Sequence, residues 1–473
     1  MTIVRVFVLV VVAAGAVACG GDDVYPISAL QDPSTCKECH ATHYQQWSGS
    51  MHAYATDDPV FIAMNKRGQR EAQLGTFCIS CHAPMAVVNG TITDANAADF
   101  DLSTLPATER GVTCYFCHNV ASVEATHNNG LVIANDQTMR GGVEDPADNP
   151  AHHSRYDTLM DSDVNESEMC GSCHDIVTPR GVAIERTFAE WKQTIFAKER
   201  DPLIHNSCGS CHMRSRDDVI ADGPGLDVSL RRNGFHEHRW QAIDEALTPW
   251  PETDAMAKAV QDDLDGSIAI LGATPLTSPH APGGICLDPP GVLSVRIDSI
   301  GTGHSWPSGA AQDRRAWLEV IAYDVNDAVV FSSGVVPDGM DPEQINDPNL
   351  LGLWDRTFKD DGMPAHMFWE VATVDSQLLK GPTTRDVNDP AFDHSITKEY
   401  TIGPSFSQIE RITTRMRIRP LAFEVIHSLE ASGDLAPGFG SQIKTLDVAG
   451  ATRTWLRSTK GTGAAINTNC NPQ

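Results

Sequence analysis

Cys36-Lys37-Glu38-Cys39-His40 is the stretch that decides how this chain is built, because its pattern, C-x-x-C-H, returns four more times. The other copies are Cys78-Ile79-Ser80-Cys81-His82, Cys114-Tyr115-Phe116-Cys117-His118, Cys170-Gly171-Ser172-Cys173-His174 and Cys208-Gly209-Ser210-Cys211-His212. Chance at these residue frequencies gives about 0.01 such motifs. Two thiols three positions apart lie on one side of a helical turn, where each can add to one haem vinyl group. The adjacent His40, His82, His118, His174 or His212 then becomes the proximal iron ligand. Zinc sites also use C-x-x-C pairs but do not require a histidine after each one, and redox dithiols seldom recur five times. A framework of disulfides leaves the histidines unexplained. The expected cofactor is therefore haem c, five copies, all attached between Cys36 and His212. So little chain per haem means that the macrocycles themselves supply much of this region's core.

The rest of the composition limits what surrounds these motifs. At 473 residues the chain is long enough for two or three domains, and with 41% hydrophobic and 21% charged residues it is globular in composition. Its formal charge of −27 argues against nucleic acid as a partner. An acidic surface can steer basic redox partners or simply keep the protein soluble. Arg5 followed by the apolar run 6–18 reads as an export signal, too short to span a bilayer. Ala16-Val17-Ala18-Cys19 resembles a bacterial lipobox, so residues 1–18 are expected to be a signal peptide cleaved before a lipidated Cys19. The alternative is cleavage at Ala18 with Cys19 free or disulfide-bonded. The expected location is periplasmic or cell-surface, with a lipid anchor at Cys19. Once Cys19 is lipidated, Cys286 and Cys470 remain as a pair suited to one disulfide.

Periodicity changes along the chain. Residues 25–272 read as a mainly helical and loop domain carrying five haems, with helices at 41–50 and 186–199 and a helical region at 240–271. The Pro- and Gly-rich stretch 273–291 reads as a linker. Beyond it, 292–300, 316–325, 329–336, 368–374, 396–402 and 411–418 alternate or are rich in β-branched residues, which predicts an antiparallel β-sandwich over 292–473. A short helix is expected after Pro420, stopped near Gly433.

The segment Cys36 to Ala55, with Tyr44, Trp47, Ser50 and His52 beside the first motif, resembles the opening haem repeat of the cytochrome c-554 family. Gly111-Val112-Thr113-Cys114, Cys170 to Asp175 followed by Glu190-Trp191, and Cys208 to Met213 are similar to segments of other multihaem cytochromes. The resemblance covers about residues 34–245. Gly303-His304-Ser305-Trp306-Pro307-Ser308-Gly309, followed by Arg315 and Trp317, resembles an element of β-sandwich domains appended to such cytochromes. The family's archetype has four haems and no comparable appended domain, so its own electron-transfer partner is not carried over.

Five low-spin irons need five distal ligands, and thirteen histidines lie outside the motifs. The resemblance makes His52 the first candidate. His153, His238 and His304 follow, with His127 and His205 competing for the last place. Met85 and Met213 could ligate through sulfur or simply pack against a ring. His366, His394 and His427 are not expected to be ligands, and Lys359-Asp360-Asp361-Gly362 reads as a solvated turn. These features point to electron transfer with redox proteins or a membrane quinone-linked chain. The rival is a multihaem oxidoreductase acting on a small nitrogen or sulfur compound at one open-coordinate iron, for which His127, Arg155 and Tyr156 are acid–base candidates. In a third reading, compatible with both, the sandwich docks the cytochrome to a partner.

Overall fold

The computed structural model describes residues 24–92, 95, 101–143, 154–159, 163–223, 228–270, 284–386, 388–457, 464–468 and 470. Cys19 and His153 lie outside them, as does most of the expected linker.

In the motif-bearing half the helices are short, and each begins where a side chain or a proline supplies the start. Asp58 accepts a hydrogen bond from the Val60 amide, and Pro59 opens the helix Pro59–Ala72. Thr113 caps the third motif's turn, Cys114–His118, and Ser207 caps the fifth, Cys208–His212. The expected helix at 186–199 is two helices, Thr187–Trp191 and Ile195–Lys198. Between them the Thr194 hydroxyl donates to the Trp191 carbonyl at 2.8 Å and ends the first. This half is also less purely helical than its sequence suggests. Four two-stranded ribbons link the motifs, pairing Val120–Ala125 with Gly130–Ile133, Thr138–Gly141 with Arg155–Thr158, Ile176–Val177 with Ala183–Ile184, and Ser215–Asp218 with Arg231–His236.

Two five-stranded sheets follow. One contains β1 (Ile268–Ile270), β2 (Ile285–Asp288) and β3 (Val292–Ser299). The other starts with β4 (Arg315–Tyr323), β5 (Val329–Ser333) and β6 (Leu351–Leu353). The chain then makes β7 (Ser395–Thr401), β8 (Arg411–Arg419), β9 (Leu446–Leu456) and β10 (Ile466–Asn467). The first sheet runs β7-β3-β2-β10 with β1 also on β3, and the second runs β5-β4-β8-β9 with β6 on β4. Ile285, Leu293, Val295 and Ile297 from the first sheet share one core with Leu318, Val320, Ile412, Met416 and Trp455 from the second.

Four expectations need correction here. Strand structure begins at Ile268 rather than 292, the helical region expected over 240–271 is the single helix Thr253–Ser267 with 240–252 non-helical, and residues 285–288 of the expected linker are a central strand. The sheets are not wholly antiparallel, because β10 returns parallel to β2. The strand expected over 368–374 is a 3-10 turn, Phe368–Glu370, followed by a strand, Thr373–Ser376, that pairs with Asp355–Phe358. The two halves are also not separated by a free linker. Val60, Ala63 and Leu74 of the first half share a core with Phe423, Ile426 and Leu429 of the helix Phe423–Ala431. Arg70 pairs with Asp434, and Lys444 with Glu245. Arg180 reaches Asp360, which makes the acidic turn at 359–362 a cross-link rather than a purely solvated loop. Cys286 on β2 is disulfide-bonded to Cys470, with a Cα–Cα distance of 6.0 Å. No helix among the described residues is long and apolar enough to cross a membrane.

A candidate multihaem site

The five motifs form short helical turns, and backbone carbonyls hold four of their histidine rings in place. His40 Nδ1 donates to the Ile220 carbonyl at 2.7 Å, His82 to Ala55 at 3.1 Å, and His212 to Gln241 at 3.0 Å. His118 Nδ1 donates to the Arg140 carbonyl. A carbonyl can only accept, so each of these rings carries its proton on Nδ1 and leaves the Nε2 lone pair for a metal. Burial lowers His40 and holds His82 down at about 4.

Among the described residues, three of the motif histidines are faced by imidazoles distant from them in sequence. The His118 and His238 rings are 6.3 Å apart between centres and 7° from parallel. His212 and His304 are 6.4 Å apart at 9°, and His174 and His52 are 6.1 Å apart at 62°. Two imidazoles on opposite faces of one iron, each bonded at about 2 Å, have ring centres roughly 6 Å apart, so these spacings fit axial pairs. The second members are oriented in the same way as the first. His238 Nδ1 donates to the His236 carbonyl at 2.8 Å and His304 Nδ1 to that of Ser305 at 2.8 Å. Burial pushes His52 down to about 3 and His304 to about 4, and lowers His238 strongly.

The thiols give the spatial order of the motifs. The Cys36 thiol lies beside that of Cys114, Cys81 beside Cys173, and Cys170 beside Cys208. Cys117 lies close enough to Cys170 and Cys173 to raise both thiols further. The first motif thus adjoins the third, the third adjoins the fourth, and the fourth adjoins both the second and the fifth. The thiols of Cys78, Cys114 and Cys117 are densely surrounded yet retain accessible surface, as expected of groups that border internal space. Imidazoles paired at the spacing of two ligands to one iron, clustered thiols and Nδ1-anchored rings together fit haem c.

The residues around His52 and His304 show why the sequence is written as it is there. Trp47 Nε1 donates to the Val112 carbonyl at 2.8 Å, and the Val112 amide donates to the His52 carbonyl at 2.8 Å. Ser50 caps the His52 turn. Gly111 has φ +66°, and a Cβ there would come within 2.6 Å of the carbonyl oxygens of His52 and Ala53. The His304 loop is held by Glu190, whose carboxylate accepts from the Ser308 hydroxyl at 2.7 Å and the Ser305 amide at 3.2 Å. Thr187 bonds both Ser308 and the Gly309 amide. Trp191, beside Glu190, donates to the Asn206 carbonyl at 2.9 Å, just ahead of the fifth motif.

The remaining candidates sit elsewhere. His127 is exposed at the turn between two ribbon strands, near enough to Asp175 to lower that carboxyl slightly against its burial. His205 Nδ1 donates to the Glu199 carbonyl at 3.2 Å. Met85 is fully buried among Leu30, Tyr115 and Phe116, and Met213 offers its carbonyl to His236. Tyr156 spends its hydroxyl on the Val143 backbone, and Arg155 is exposed. His366 and His427 are exposed, and His394 packs edge-on against Phe392. Sequence reading passed over His43, which stacks on Phe235 at 4.2 Å and lies 4.6 Å from His238. It also passed over the carbonyls that orient the motif rings, for which side-chain identity carries no signal.

Comparison with known proteins agrees with this geometry. Residues 35–119 match the family model described as cytochrome c554 and c-prime. Among solved structures, the chain is similar to a penta-heme cytochrome c552 from Thermochromatium tepidum, with a TM-score of 0.58 at 17% identity over 91% of this chain and 100% of that one. No curated protein matches. The matched segment holds the first three C-x-x-C-H motifs, and the same pattern recurs twice beyond it.

Proposed function

We propose that this cytochrome carries five haems c and passes single electrons along them. The attachment sites are Cys36 and Cys39, Cys78 and Cys81, Cys114 and Cys117, Cys170 and Cys173, and Cys208 and Cys211, with His40, His82, His118, His174 and His212 as proximal ligands; Cys39 is disulfide-bonded in the structure, so its thioether forms only once that bond is reduced. Distal ligands are His238 opposite His118, His304 opposite His212 and His52 opposite His174. His153 serves one of the other two irons. The observation that carries the reading is the adjacency of thiols from different motifs, by which the first and third, third and fourth, second and fourth, and fourth and fifth motifs would hold neighbouring haems. The fourth haem is then a branch point. The protein's part is to fix distances, supply axial nitrogens and set potentials by burial and hydrogen bonding.

In this reading the protein is exported, anchored by lipid at Cys19, and exchanges electrons with redox proteins or a quinone-linked membrane chain. The two five-stranded sheets form a sandwich that supplies His304 and covers the haem region.

One observation favours the second reading, an oxidoreductase acting on a small nitrogen or sulfur compound. The ring stacked on His82 is Phe61, 3.9 Å away and parallel within 2°, and among the described residues no imidazole faces His82 as one faces His118, His174 and His212. The iron of the second motif is the one at which a substrate would bind. Pyridine haemochrome counting with electron paramagnetic resonance, with and without nitrite or cyanide, separates the two. Five low-spin irons that ignore the added ligand leave only the electron carrier, whereas one high-spin iron that takes it up establishes an open site.

A further inference from the structure

Arg314 is a charged group that the electron path does not explain. It follows the His304 loop, and its backbone amide donates to the Ala310 carbonyl at 3.2 Å. Its side chain is only 11% exposed. Nη2 donates to the Asp244 carboxylate at 2.9 Å and lies about where Gly309, at φ +70°, leaves room for it. Nε is buried and has no hydrogen-bond partner. A buried guanidinium donor left unmatched is costly and calls for an anionic acceptor.

The surroundings indicate which anion. After burial and the charge of His212, Arg314 is a further cause lowering both His174 and His304, so it stands close to rings that belong to two different iron sites. Each haem brings two propionate carboxylates, and a planar guanidinium is the side chain best matched to a carboxylate. We propose that Arg314 is a positioning residue that donates its Nε hydrogen to a haem propionate where the haems of the fourth and fifth motifs meet, and thereby raises that haem's reduction potential. Asp244 holds the other end of the guanidinium and partly offsets its charge. The proposal rests on the haem assignments above.

The test uses the full-length, haem-loaded protein with Arg314→Gln, Arg314→Lys and Asp244→Asn. Pyridine haemochrome first confirms five haems, and a lower count in the unaltered protein counts against the assignments rather than against Arg314. In Arg314→Gln, one haem's oxidised-to-reduced equilibrium shifts about tenfold toward the oxidised form, about 59 mV for a one-electron couple. The same variant shifts the propionate bending band in resonance Raman. Arg314→Lys restores most of the potential but not the band, because it keeps charge and loses the fork. Asp244→Asn moves the potential the opposite way. An unchanged Raman band in Arg314→Gln overturns the proposal, as does a potential shift spread evenly over all haems. If Arg314→Gln fails to load haem, Arg314→Lys decides: a native band in that variant overturns the contact.

Discussion

At the residue scale the deciding groups are imidazoles whose rings are fixed from the Nδ1 side. Replacing His304 by Ala removes the ring opposite His212, so one haem should change from low-spin to high-spin in the electron paramagnetic resonance spectrum while its thioether attachment survives. His238→Ala should do the same to the haem of His118. His127→Ala, at an exposed turn, should leave the spectrum unchanged. A second prediction concerns Asp313, whose carboxyl burial pushes up to about 7, with Glu185 nearby adding to the shift. In the unfolded chain it titrates near 4. Between those values the folded protein holds a proton that the unfolded chain has lost, so this group's contribution to stability is present at pH 4 and is lost as pH rises to 7. Asp313→Asn should remove that loss, at most about 1.4 kcal/mol per pH unit, and raise the unfolding midpoint at pH 8 relative to the native protein but not at pH 4. Much of this scale was legible. The C-x-x-C-H spacing names its own attachment atoms, and His52 and His304 each sit in a patterned stretch. The Ile220, Ala55, Arg140 and Gln241 carbonyls were not legible, because backbone oxygens look alike in any sequence and only the folded chain brings them to a ring.

At the element scale, short segments act as clamps. Gly111 lets its own turn lie against the backbone of His52 and Ala53, in a conformation with positive φ that other residues adopt only with strain. Gly111→Ala should therefore displace the His52 turn. The expected outcome is a loss of stability of a few kcal/mol, read from denaturant unfolding, together with a weakened low-spin signal from the haem of His174. Strands such as β4 and β8 were readable because their side chains alternate or are uniformly apolar over nine residues. The short strands β1 and β2 were not. They are three and four residues long and flank a stretch rich in Pro and Gly, where local signals for breaks outweigh a few apolar residues. The 186–199 helix was misjudged for a related reason: its composition favours a helix throughout, but Thr194 turns its hydroxyl onto the backbone and also reaches the Gly303 carbonyl at 3.3 Å, so tertiary contact overrides propensity.

At the scale of the whole molecule the two halves depend on each other. The sheet-forming half supplies a ring to the fifth motif, Glu190 of the haem half holds the loop that carries it, and Phe423 and Ile426 close a core with Val60 and Ala63. Such long-range dependence has no local signature, which is why the chain read as two domains joined by a linker. The Cys286–Cys470 disulfide closes a loop with a sequence separation of 184. Cys470→Ser should lower stability by about 2–5 kcal/mol, seen as a reduced denaturant midpoint that the native protein reproduces under reducing conditions.

The placement of His304 also sets a timetable. A polypeptide is made from its N-terminus, so the fifth attachment motif exists well before the ring that faces its histidine. If Cys208 and Cys211 hold a haem and His304 is its second ligand, that ligand comes into place only after the chain through Gly309 has been made and Glu190 has captured the loop. A chain stalled before residue 304 would then have all five attachment motifs and lack the ring that faces His212.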